Sequence, residues 1–314
     1  MHRAVSLWRR PSLAGGAGDL GEKATAVAAA VALAIAFGPL MMSLPDEGAA
    51  PGTGRTGPDA AVASGETIVA GYGGVTYTHP SDVHITKAGS TDLKLHAVEW
   101  IGRPFKSPIY YGLRGIRWPE ASRIGGMIDF THAKAISVRE QRVRFSGTRN
   151  GQPADATRVM GDTFRHLEFS HGHNMLTLNG LLRLGGLTST IRPYVGAGLG
   201  VSLPHTEVQF HDEAKRTYEY QMTGGVGQVL AGVELRLPRV SVFVEWKLSL
   251  APYFVPLSGR DGSKGNAFID YWNQLREWLS GAEPQNGRLR TNLLSHHLIG
   301  GVGYRHAATA APTP

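Results

Sequence analysis

Residues 240–250 repeat with a period of two, and this leaves few ways for such a chain to fold. Val240, Val242, Val244, Trp246, Leu248 and Leu250 alternate with Ser241, Phe243, Glu245, Lys247 and Ser249. Successive side chains of a strand leave opposite faces, so one face is apolar and the other carries two opposite charges. The same pattern recurs along the chain. Ile191, Pro193, Val195, Ala197, Leu199 and Val201 alternate with Arg192, Tyr194, Gly196, Gly198 and Gly200, the glycines leaving room in a narrow interior. Val229, Ala231, Val233, Leu235 and Leu237 face away from Gln228, Glu234 and Arg236; Leu176, Leu178 and Leu182 face away from Asn179 and Arg183; and Ile128 and Phe130 flank Asp129. Residues 67–78, 108–118 and 293–304 alternate less cleanly and carry more glycine. These segments amount to eight strands.

The connections alternate as well. Residues 119–123, 185–189 and 238–239 read as tight turns, whereas 79–107, 137–170, 204–224 and 251–292 read as long loops. Short turns on one side and long loops on the other are the pattern of an outer-membrane barrel. The expected fold is therefore all-β: an eight-stranded antiparallel transmembrane β-barrel with short periplasmic turns and long extracellular loops. A soluble lipocalin-like barrel has an apolar interior, whereas the inward rows here carry Asp129, Arg183, Arg192, Glu234, Arg236, Glu245 and Lys247, which would be unpaired charges in a dry ligand pocket and costly. With the charged rows inside a membrane barrel, these charges are expected to form a hydrogen-bonded filling, so no open pore is anticipated.

The N-terminal segment fits an envelope destination. Arg3, Arg9, Arg10 and Lys23 precede an apolar run over 24–40, the order of charged and apolar regions in an export signal; the run is also long enough for a signal anchor. Residues 1–43 are read as signal peptide or anchor, 44–66 as a flexible linker rich in Pro, Gly, Ala and Thr, 67–305 as the barrel and 306–314 as a short disordered tail. The chain has no cysteine, which excludes disulfides and thiolate metal sites, and a formal charge of +7, which suits an anionic partner. Export makes phosphorylated lipid the expected partner rather than nucleic acid. Composition leaves the oligomeric state open.

Strand direction then gathers scattered residues. With the first strand rising from the periplasm, His79 and His132 end strands at the outer rim, while His171, His173, His296 and His297 begin strands there. Of thirteen histidines, His2 and His306 alone fall outside the expected rim and external loops. Asp82, Asp129, Glu168 and Glu245 lie on or near the same end. A mixed histidine and carboxylate shell suits a divalent metal or proton transfer when the group is taken together; taken one by one, the same histidines read as tolerated polar rim and loop residues. His79, Asp82, His132 and Glu245 are the candidate catalytic residues, and His171, His173 and His297 the candidate metal ligands, the metal's identity being open. No glycine fingerprint lies in a strand–turn–helix context, so flavin and nicotinamide are not expected. Phe268, Ile269, Trp272, Leu275 and Leu279 recur at helical spacing, the mark of an amphipathic helix that either packs over the barrel mouth or lies at the outer-leaflet surface.

Several segments carry a resemblance: Gly71-Tyr72, the run Tyr77-Thr78-His79-Pro80-Ser81-Asp82-Val83, the run Pro108-Ile109-Tyr110-Tyr111-Gly112-Leu113-Arg114-Gly115, the run Asp129-Phe130-Thr131-His132-Ala133-Lys134, and His166-Leu167-Glu168-Phe169-Ser170. Together they resemble the outer-membrane lipid A oxidases of rhizobial bacteria, over roughly residues 67–304. The resemblance implies an outer-membrane enzyme acting on lipid A or lipopolysaccharide, oxidising the proximal glucosamine to 2-aminogluconate with dioxygen and releasing hydrogen peroxide. Two alternatives stand beside it. One is a non-enzymatic barrel with a structural or interaction role. The other is a lipid A deacylase, which needs a serine within reach of a histidine, as Ser81 beside His79 or Ser295 beside His297 would allow.

Overall fold

The computed structural model describes residues 65–185, 190–262 and 266–307. Elements are numbered in chain order. The strands β1 (Glu66–Thr78), β5 (Tyr111–Trp118), β6 (Ile124–Ser137), β10 (Phe164–Arg183), β11 (Ile191–Ser202), β14 (Gly224–Arg236), β15 (Val240–Pro256) and β16 (Arg288–Ala307) pair antiparallel in that order. β16 then pairs back onto β1, from Glu66↔Ala307 to Thr78↔Ser295, and closes the sheet into a ring. β1 starts one residue inside the expected linker and β16 runs two residues into the expected tail. The expected leader, and the remainder of linker and tail, lie outside the described residues.

The ring is inside-out relative to a soluble protein. Its outer surface exposes Val69, Leu113, Ile124, Ile128, Leu182, Ile191, Val229, Val233, Val244 and Trp246, with Leu178 69% and Leu199 75% accessible, while its interior buries Arg114, Asp129, Arg183, Arg192, Glu234, Arg236, Glu245 and Lys247. Interior side chains fill the space that glycine leaves. A Cβ at Gly112 would lie 1.9 Å from the Tyr72 ring, and one at Gly198 would lie 2.1 Å from Oδ1 of Asn179.

Two charge networks occupy the interior. In the middle of the ring, Asp129 accepts from Lys247 Nζ and the Tyr72 hydroxyl at 2.9 Å and from Arg114 Nε at 3.2 Å. Glu245 accepts from both Arg114 Nη atoms at 2.9 Å and from the Tyr194 hydroxyl at 2.7 Å. At the end where β1 begins, Glu66 is surrounded by Arg183, Arg192, Arg236 and Arg305. Buried ions persist only when paired and hydrogen-bonded, and the middle network meets that condition for each charge.

At the opposite end the long segments are folded rather than loop-like. β2 (Ser81–Lys87), β3 (Thr91–Val98), β4 (Trp100–Ile101), β7 (Arg142–Arg149), β8 (Gln152–Pro153), β9 (Ala156–Val159), β12 (His205–Phe210) and β13 (Thr217–Tyr220) extend the sheet above the ring, with short α1 (Met160–Thr163) and the longer α2 (Ala267–Ser280). The order runs β16–β2–β3–β7 on one side, and β12 joins β10 to β13 on the other. Val83, Ile85, Leu93, Leu95, Val143, Phe145, Phe164, Phe169, Val255 and Leu289 turn inward into one apolar core. This corrects the expectation of long external loops. The physical reason is visible in the same period of two: segments such as Thr91–Val98 place Leu93 and Leu95 on one face, and a register shift at Ala97, φ 53°, brings Val98 to it. Hence the molecule has a polar-filled ring below and an apolar-filled cap above. Among the described residues no helix is long and apolar enough to cross a membrane.

Candidate active site on the outer wall

Pairing register places three polar residues in one row across the wall. Tyr111 of β5 lies opposite His132 of β6, and His132 lies opposite Asn174 of β10. All three point outward, in the same columns as Leu113, Phe130 and Leu176 one pleat below and Gly115, Ile128 and Leu178 two pleats below. The polar row therefore tops the apolar outer surface directly. Above it a cleft of about 490 Å³ is lined by Pro108, Tyr111, Phe130, His132, His171, Asn174, Leu203, Tyr220, Ala267 and Tyr271. β13 and the first turns of α2 supply its far wall.

The hydrogen bonds around His132 set its proton inventory. Asn174 Nδ2 donates to the Leu203 carbonyl at 3.1 Å, which turns Oδ1 toward His132, 2.7 Å from Nδ1. An amide oxygen only accepts, so Nδ1 carries the hydrogen and Nε2 of the neutral ring has a free lone pair. Nε2 is buried with no protein partner. The Tyr111 ring stacks on the imidazole at 4.7 Å and 18°. A fixed tautomer with one bare, desolvated nitrogen is the arrangement of a proton acceptor.

Charged groups flank the cleft on two sides. Lys134, two residues along from His132 on the same face, donates to the Lys106 carbonyl at 2.7 Å and is in electrostatic range of Arg103, Lys106 and Glu168. On the β10–β12 side, His166 Nδ1 lies 2.9 Å from Glu168 and 3.4 Å from Glu207, and His171 Nδ1 lies 4.0 Å from Glu207. Arg216 also reaches Glu207 at 2.8 Å. Burial, with His171 beside it, pushes His205 down to about 4, so this imidazole adds no charge near neutral pH.

The candidate residues separate in the fold. Among the described residues, three metal-capable side chains bring their ligand atoms within 4.8 Å of one another at His166, Glu168 and Glu207, and not at His171, His173 and His297. His173 points into the interior and bonds the Tyr253 hydroxyl. His297, also interior, lies between Tyr110 at 3.1 Å and Ser249 at 2.9 Å. Glu245 is committed to Arg114 in mid-ring. His79 packs against Tyr77 and His296 on the β1–β16 face, two strands from His132, and Asp82 accepts from the Ala97 amide. Of the four catalytic candidates, His132 alone lines the cleft. Ser81 and Ser295 are hydrogen-bonded to Thr291 and Thr78, while the Ser249–His297 pair is enclosed, Ser249 having no exposed surface.

Sequence reading missed Asn174, Tyr220, Tyr271 and Glu207. His166 and Glu168 fall in the loop expected over 137–170; because β10 starts at Phe164 they stand two apart on one strand and share a face, and Glu207 reaches them only through the pairing of β12 with β10.

No protein-family model matches the chain, and no curated protein matches it. Among solved structures, the crystal structure of Neisserial surface protein A is similar with 10% sequence identity and a TM-score of 0.32, covering 76% of this chain and 96% of that one. At so low a TM-score, the barrel rests on its own strand pairing.

Proposed function

We propose that the chain is an outer-membrane barrel, eight-stranded in its spanning part, that oxidises the proximal glucosamine of lipid A to 2-aminogluconate with dioxygen. The observation that carries this reading is the Tyr111–His132–Asn174 row seated directly above the exposed apolar columns of the wall. Apolar belts around a barrel face acyl chains, so this row lies where the headgroup of an outer-leaflet lipid sits. A lipid would reach His132 from the side, its chains against Phe130 and Leu176. Arg103, Lys106 and Lys134 supply positive charge for its phosphate. The enclosed interior offers no comparable route.

His132 Nε2 takes the proton of the anomeric hydroxyl. The C1–H bond breaks, both electrons pass to dioxygen, and the two hydrogens leave with it as hydrogen peroxide. The resulting lactone is opened by water, so the sugar gains one oxygen overall. Asn174 holds the base in its acceptor tautomer, and the apolar cleft wall excludes water from the reacting carbon. His166, Glu168 and Glu207 are the side chains suited to a divalent metal, one imidazole and two carboxylates, and such an ion would act as a Lewis acid toward oxygen ligands.

The test is mass spectrometry of lipid A bearing a free anomeric hydroxyl, incubated with outer membranes holding the full chain. A gain of one oxygen on the proximal sugar, with one hydrogen peroxide per turnover, is expected. His132→Ala should slow it by about 10²–10⁴-fold, the usual worth of a general base. Unmodified lipid A despite a folded barrel would favour the non-enzymatic role, and loss of an acyl chain the deacylase.

A further inference from the structure

The two interior charge networks differ in their arithmetic. The middle one pairs two cations, Arg114 and Lys247, with two carboxylates, Asp129 and Glu245. Among the described residues, the network at the β1 end brings Arg183, Arg192, Arg236 and Arg305 to Glu66 and Glu234, and each of the six is under 7% accessible. Even without Arg192, Arg183, Arg236 and Arg305 set three guanidiniums against two carboxylates, an excess of buried positive charge. Arginine does not shed its proton in proteins, so the imbalance cannot be relieved by titration.

The hydrogen-bond inventory at this end points the same way. Arg236 gives Nη2 to Glu66, yet its Nε and Nη1 have no protein acceptor; Arg183 Nε, Arg305 Nη1 and the indole nitrogen of Trp118 are likewise buried without one. Every one of these groups is a donor. Elsewhere the buried polar atoms without partners include acceptors such as Gln221 Oε1. A donor-only set with excess positive charge is complementary to an anion.

We propose that the β1 end of the barrel interior, the periplasmic end in the reading above, is a built binding site for a small inorganic anion held by Arg236, Arg183, Arg305 and the Trp118 indole. The site is separate from the His132 cleft and does not depend on the chemistry proposed there. Its occupant neutralises the arginine excess and ties the ends of β5, β10, β14 and β16 together.

The full-length protein in detergent, melted at fixed ionic strength in gluconate, chloride or phosphate, tests this. A saturable rise in Tm with chloride identifies a halide site; with phosphate, an oxyanion site. Arg236→Gln should raise the half-saturating concentration by roughly tenfold or more, the loss expected for one charge-assisted hydrogen bond. Arg117→Gln, an exposed arginine bonded to Thr67, should leave it unchanged. Line broadening of the phosphorus resonance of inorganic phosphate gives a second readout that does not depend on stability. A wild-type Tm indifferent to anion identity would overturn the proposal, since water or the chain's own carboxylates would then satisfy the donors. So would an anion response that Arg236→Gln leaves intact.

Discussion

Asp129 has no accessible surface and three donors, Arg114, Lys247 and Tyr72, so its charge is held entirely by neighbours rather than by water. Replacing it with asparagine leaves two cations to share Glu245. Breaking a buried pair from one side costs about 3–5 kcal/mol. Asp129→Asn is therefore expected to lower the unfolding free energy of the barrel in lipid vesicles by that order, measured by urea titration. Asp212→Asn, which breaks a half-exposed pair with Arg149, should cost about 1 kcal/mol or less. The same residues show what the sequence can reveal. Alternation alone assigns Asp129, Glu245 and Lys247 to the interior. It cannot say that Glu245 is bound to Arg114, 131 positions away, and so unavailable to a rim site. Asn174 carries no signal at all, because its role follows from facing His132 across a strand pair and Leu203 beyond it.

At the scale of elements, α2 reverses the usual orientation of an amphipathic helix. Asp270 accepts from the Tyr220 amide, Gln274 bonds both backbone groups of Met222, and Glu277 pairs with Arg260, so the polar face docks on the protein. Phe268, Trp272, Leu275, Trp278 and Leu279 are exposed, Phe268 by 88% and Trp278 by 76%. Asn266 caps the start and Gly281, at φ 66°, ends the helix. Helical spacing made the helix legible, while the choice between mouth and membrane required knowing which face docks. An apolar face of this size turned outward is stable only against lipid or a partner. In vesicles with brominated acyl chains, part of the tryptophan fluorescence should be quenched, and Trp272→Phe with Trp278→Phe should remove that part. Quenching unchanged in the double variant would place α2 away from the bilayer. The cap strands were missed for a related reason: β3 alternates like a membrane strand, and nothing in one strand tells whether its apolar face meets lipid or another sheet.

At the scale of the whole molecule, the contrast between a polar-filled ring with an apolar exterior and an apolar-filled cap requires two solvents. The ring's outer belt needs hydrocarbon, and the cap, whose outward face carries Lys94, Arg142, Arg144, Arg288 and Arg290, needs water. The outer-membrane reading proposed above sets the β1 end, with its short turns, in the periplasm and the cap outside. Because the chain has no cysteine, introduced thiols report the topology without background. Ala88→Cys, in the turn between β2 and β3, should react with a membrane-impermeant maleimide on intact cells. Glu120→Cys, in the turn between β5 and β6, should react only after the outer membrane is opened. Both positions are exposed, so failure to label reflects the barrier rather than burial. The reverse pattern would put the cap in the periplasm and His132 at the inner leaflet, away from lipid A, and the proposed chemistry would fall with it; labelling of both on intact cells would mean that the chain is not embedded.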